Sequence, residues 1–174
     1  MAEHSLPTRL LARQRILAWL NDWLWILILP ILIVPVGLLL PRLGVELGEL
    51  GANLFGFFAL VVPVTLWLAW RESAPRAATP GKRRLGLRVV HFATGEGVGF
   101  GRALLRNALK VAIPWQLGHQ VAFGFATLGD AEIGRALMVV SFACYGVMGV
   151  HLAGLFLGDG RTVYDRLSGT RVVR

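Results

Sequence analysis

The chain has 174 residues, 55% of them apolar and 16% charged, with a formal net charge of +8. A soluble domain carries nearer about 25% charged residues, so the composition argues against one. The positive charge flanks apolar runs and forms no single stripe on a polar surface, which sets nucleic acid aside as a partner.

Taken in chain order, the start is basic (Arg9, Arg13, Arg15) and then apolar, as in a signal peptide. The apolar stretch is too long and lacks a small-residue cleavage site, so an uncleaved span is expected. Span one covers 16–40, with Pro30 and Pro35 expected to kink its outer half. It exceeds the roughly 20 residues that cross hydrocarbon, so it tilts or overhangs. A short loop leads to span two at 51–70, which ends on Trp67 and Trp70, where indole rings favour an interface.

The longest polar connector, 71–102, is the expected place for structure outside the bilayer. Span three, 103–128, carries Pro114, Gln116, His119 and Gln120, so it is expected to face protein. Arg102, Arg106 and Lys110 recur every four residues and form one cationic stripe at its inner end. A tight loop at 129–135 leads to span four, 136–157, and a tail, 158–174.

Sixteen of the eighteen basic residues fall before the first apolar stretch, between the second and the apolar part of span three that starts at Val111, or after the fourth. The other two, Arg42 and Arg135, share short connectors with Glu46, Glu49, Asp130 and Glu132. This positive-inside pattern predicts an all-α membrane protein with four transmembrane helices and both termini cytoplasmic. Anionic lipid headgroups are the expected partner of its basic face. Cys144 is the single cysteine, so no internal disulfide forms.

Two segments echo each other. Thr79-Pro80-Gly81-Lys82-Arg83-Arg84-Leu85-Gly86-Leu87-Arg88-Val89-Val90 aligns without gaps on Thr162-Val163-Tyr164-Asp165-Arg166-Leu167-Ser168-Gly169-Thr170-Arg171-Val172-Val173. Each reads as a capping threonine, a short turn, a glycine stop and a brief strand. The strands 87–90 and 170–173 are expected to pair as a small cytoplasmic ribbon packed on the helix ends. Lys82 and Asp165 occupy equivalent positions, and pairing of the two across the ribbon is expected.

Asp22 is the most exceptional charge. It lies seven residues after Arg15, on the same helix face and about 10 Å deeper. An unpaired carboxylate there costs roughly 2.5–3.5 kcal/mol. Its candidate partners are Arg102, Arg106 and Lys110. One reading has it locking spans one and three; the other has it binding a cation or a proton. His151 is expected near the same depth, where an imidazole and a carboxylate relay protons. No zinc spacing, nucleophile elbow or phosphate loop is present, so no metal, cofactor or catalytic residue is expected.

The segment Arg15-Ile16-Leu17-Ala18-Trp19-Leu20-Asn21-Asp22 resembles the first-span signature of the RDD family. Arg161-Thr162-Val163-Tyr164-Asp165-Arg166-Leu167-Ser168-Gly169-Thr170 is similar to its tail, and residues 79–90 and 101–106 are similar to its centre. Arg15, Asp22 and Asp165 would be the arginine and two aspartates that name the family. The resemblance implies one membrane domain over 1–174, mostly bacterial, hence an inner-membrane, multi-pass protein. It also implies transport of an unknown ligand, some members being described as sodium/proton antiporters. There is little here beyond four spans, which makes a self-sufficient antiporter hard to build without a homo-oligomer or a membrane partner.

Two functions follow, neither of them enzymatic. One is a transporter or ion-exchange component with Asp22 as its responsive group, which needs a water path to Asp22. The other is a membrane scaffold or accessory subunit, which needs Asp22 paired and dry.

Overall fold

The computed structural model describes residues 7–128 and 132–174; the loop acid Asp130 lies outside the described residues. Nine α-helices, two π-helical turns, one 3-10 turn and a two-stranded sheet make up the fold among those residues. Helix α1 (Thr8–Ile26) continues as α2 (Ile28–Leu39) through a bend of 44°. The bend falls before Pro30, not in the outer half. Proline has no N–H and its ring clashes with the carbonyl four residues back, here Ile26, the last residue of α1.

The next long helix is α3 (Glu49–Gly56), a π turn (Phe57–Val61) and α4 (Val62–Glu72). A second composite joins α6 (Phe100–Asn107), a π turn (Ala108–Ala112) and α7 (Ile113–Ala126). Both π turns have the same cause. Pro63 and Pro114 each lie four residues after a carbonyl inside the turn, Ala59 and Lys110, which they cannot serve as donors. The preceding residues, Val62 and Ile113, instead donate five residues back, to Phe57 and Ala108. Helix α8 (Arg135–Phe156) is the last long element.

The runs Glu49–Glu72 and Arg135–Phe156 are long and apolar enough to cross a membrane, and Thr8–Ile26 with Ile28–Leu43 makes a third if the bent pair is one span. The composite over 100–126, with its charged start and polar seam, is not among them.

The echo is visible as two short copies of one unit. Helix α5 (Pro80–Arg84) is capped by Thr79, and α9 (Val163–Leu167) by Thr162. Each ends at a glycine with positive φ, +68° at Gly86 and +62° at Gly169, which a residue with a Cβ rarely adopts. Strands β1 (Arg88–His91) and β2 (Thr170–Val173) then pair antiparallel, β1 one residue later than expected. The register sets Val89 against Val172, and these are equivalent residues of the two copies. A local twofold axis therefore passes through that pair.

The ribbon caps the polar end of the helices. Leu87, Val89 and Val172 pack with Ala18 of α1, Ala69 of α4, Ala103 of α6 and Val98. A second apolar layer lies farther along, with Ile26, Val64, Leu68 and Val111 at its centre.

Candidate functional site

The buried residues of α1 are Ala12, Arg15, Ala18, Asp22 and Ile26. Steps of three and four put them on one face, so Arg15 and Asp22 point into the protein together. The two charges then reach different copies of the capped unit.

Asp22 is 1% exposed and is held by the α5 copy. Thr79 Oγ1 donates to its Oδ2 at 2.6 Å, and the Gly81 backbone N–H donates to its Oδ1 at 2.7 Å. The approach is close enough that a Cβ at Gly81 would fall on the Ala18 carbonyl oxygen. Glycine is thus required there by space.

Arg15 is held by the α9 copy. Its Nη2 donates to Asp165 Oδ2 at 2.6 Å and to the Tyr164 hydroxyl at 3.3 Å, and its Nη1 donates to the Gly160 carbonyl at 2.7 Å. Asp165 also closes a capping box with Thr162, accepting from its backbone N–H and its hydroxyl. Arg106 completes the carboxylate, donating through Nε and Nη2 to Oδ1 at 3.1 and 3.0 Å. Burial pushes the Asp165 carboxyl up, but Arg106 and Arg15, with the Arg15 and Thr162 hydrogen bonds, outweigh it and hold the group well below the usual carboxylate range.

Arg106 also joins this cluster to a third acid, Glu72. The Glu72 carboxylate is fully buried. It accepts from Arg106 Nη1 at 2.5 Å, Lys82 Nζ at 2.7 Å and Asn107 Nδ2 at 2.9 Å, with Lys110 Nζ at 3.7 Å. The network therefore ties together α1, α4, α5, α6, the π turn after it and α9. Among the described residues it holds three acids (Asp22, Glu72, Asp165) and four bases (Arg15, Lys82, Arg106, Lys110).

Several expected contacts are corrected. None of Arg102, Arg106 and Lys110 donates a hydrogen bond to Asp22, although Lys110 feels its charge; their positions on the composite helix of α6 and α7 bring them to Ser168, Glu72 and Asp165. Lys82 and Asp165 do not pair across the ribbon. Each precedes its twofold-related valine by seven residues, so the antiparallel strands carry them to opposite ends. Lys82 meets Glu72, and Asp165 meets Arg15 and Arg106. His151 stands edge-on to the Tyr164 ring at 5.0 Å, on the α9 side, and is not seated against Asp22.

Glu72 and Asn107 are the members that sequence reasoning missed. The available signal was spacing: Glu72 follows Thr65, Leu68 and Ala69 by seven, four and three, so a helix continuing to 72 buries it with them.

The RDD family profile matches residues 11–173, a range that takes in Arg15, Asp22, Glu72 and Asp165. No curated protein and no solved structure gives a significant match. With its apolar helices and a match over nearly its whole length, the chain belongs to the RDD family.

Proposed function

We propose that this RDD protein is a non-catalytic membrane scaffold or accessory subunit of a bacterial inner membrane. It crosses four times with both termini cytoplasmic, the third crossing being the composite 100–126, roughly 40 Å long at 1.5 Å per residue. The observation that carries this reading is the burial of Asp22, 1% exposed, with each of its two oxygens accepting from a buried donor of the protein itself. A carboxylate held on both oxygens and closed to water suits an anchor better than a site for a passing cation. The buried charges then serve to fix how the helix ends and the ribbon meet. Exposed Arg9, Arg13, Arg83 and Arg84 lie at this end of the molecule and suit anionic headgroups. Arg76 lies over the Trp70 ring at 4.0 Å, an arrangement suited to the headgroup level.

Ion or proton exchange is the second reading, and one observation favours it. The network has one base more than acids, and Lys110 is the member without a hydrogen bond to a carboxylate. Exchange, if present, centres on Glu72 and Lys110 and not on Asp22.

The test is reconstitution in vesicles, recording proton-coupled sodium or potassium flux for the wild type and for Asp22→Asn and Lys110→Met. The scaffold reading expects no flux above empty vesicles. Flux that Lys110→Met abolishes and Asp22→Asn spares supports exchange at the second site. Flux lost in a folded Asp22→Asn protein overturns both assignments.

A further inference from the structure

Helices α8 and α9 meet at an open notch of about 490 Å³, outside the charged network. Val150, Ala153 and Leu157, along the end of α8, and Val163 of α9 give it an apolar wall, and Arg161 and Arg166 complete the lining. Val150, Leu157 and Val163 are exposed. The α8 part of the wall runs about 10 Å, at 1.5 Å per residue. It lies on a helix long and apolar enough to cross a membrane, so it leads from the polar end toward the hydrocarbon. Gly154 sets how closely α9 approaches, since an added Cβ would come 3.0 Å from Cα of the capping Thr162.

Arg161 is fixed in place with donors left over. Its guanidinium lies over the Phe92 ring at 3.7 Å, and its Nε donates to the Thr170 carbonyl at 3.1 Å. Its two Nη groups donate to no acceptor among the described residues. Asp159 Oδ2 stands 4.0 Å from Nη1, beyond hydrogen-bond reach. Arg166 Nε donates to the Arg161 carbonyl at 3.2 Å and its Nη2 to Asp159 Oδ1 at 2.7 Å, while its Nη1 donates to none of the described residues. Two cations thus share one acid, and both keep N–H groups for an anion.

We infer that this notch holds one anionic phospholipid, its phosphate bonded by Arg161 and Arg166 and one acyl chain laid along Val150, Ala153 and Leu157. The guanidinium fork matches a phosphate, which accepts parallel N–H bonds. The wall matches a chain; a soluble anion would leave that apolar surface in water. A zwitterionic head fits less well, because its ammonium would meet two guanidiniums and a single carboxylate already held by Arg166. The site is more than the general attraction of a basic face, since Phe92 and Thr170 orient its innermost cation. It rests on the proposed placement of this end at the inner leaflet and not on the scaffold role.

The experiment is native mass spectrometry of the full chain released from detergent micelles, titrated with phosphatidylglycerol or phosphatidylcholine. One phosphatidylglycerol is expected to bind saturably, ahead of phosphatidylcholine. Arg161→Gln is expected to weaken that first lipid by about tenfold or more, the worth of a charge-assisted hydrogen bond. Arg166→Gln, at an exposed side chain, is expected to weaken it too and carries the test should Arg161→Gln fail to fold. Ala153→Trp, which sets a large ring on the apolar wall, is expected to do the same. Arg83→Gln with Arg84→Gln, on the α5 copy, is expected to leave the first lipid in place. Binding that is not saturable, that is equal for the two lipids, or that the notch variants leave unchanged overturns the inference. Equal weakening by the Arg83 and Arg84 pair means a diffuse basic face and overturns it as well, as does a dimer that Ala153→Trp disperses. Lipid reaches every face of a chain in a micelle, so failure here strikes the site and not the orientation. Thiol labelling of Arg174→Cys in intact and broken spheroplasts reads the orientation by itself.

Discussion

Glu72→Gln removes one negative charge from the middle of the network and keeps the side-chain shape. Glu72 faces Lys82 Nζ at 2.7 Å and Arg106 Nη1 at 2.5 Å. At an effective dielectric of about 20, a pair at that separation attracts by roughly 6 kcal/mol, before desolvation offsets most of it. Arg106 retains Asp165, but Lys82 is left without an acid, and a cation buried alone is the costly outcome. The net loss expected is about 3–5 kcal/mol of folding stability. Denaturant unfolding in micelles, followed by tryptophan fluorescence, measures it. The double variant Glu72→Gln with Lys82→Met is expected to recover part of the loss, because the stranded cation is removed with its partner. A loss below about 1 kcal/mol for Glu72→Gln, or no recovery in the double variant, refutes an ionised Glu72 balanced by these cations.

Arg106→Lys is expected to destabilise by about 1.5–3 kcal/mol, since a single ammonium cannot serve Glu72 and Asp165 together as the guanidinium does; the same unfolding assay reads it. Gly81→Ala is expected to cost at least about 1–3 kcal/mol in that assay, through the clash of its Cβ with the Ala18 carbonyl. Asp165 has a folded pKa below its unfolded value, so its contribution is complete above the ordinary carboxylate range and is lost as pH falls below it. Stability measured from neutral to acid pH is therefore expected to fall in that window, and Asp165→Asn is expected to flatten the fall while lowering stability at neutral pH.

Much of the polar end was legible in the sequence because it is locally determined. The threonine caps, the glycine stops and the strand pairing follow from short-range chemistry, and the repeat of that chemistry announced two copies. The shared face of Arg15 and Asp22 followed from helix spacing. Their partners did not, because α1 passes between the two copies, and which copy each charge meets is a tertiary fact. Depth matched Asp22 to the stripe of Arg102, Arg106 and Lys110, but neutral donors, Thr79 and Gly81, reached it first. Glu72 looked like a solvated connector charge because it sits beside Arg71 after Trp70. Its burial depends on α4 continuing two residues beyond the apolar run. The bend after α1 and the two π turns had visible prolines, but the consequence falls four residues upstream of the ring, which shifts the break from the expected place.

The most direct measurement is amide hydrogen exchange at Gly81, the N–H that donates to Asp22, in the wild type and in Asp22→Asn. A structural, dry Asp22 requires the wild-type amide to exchange only as slowly as the core unfolds, and the substitution to speed it markedly. Rapid exchange in the wild type would mean that water reaches the carboxylate in the folded protein, and would contradict the account.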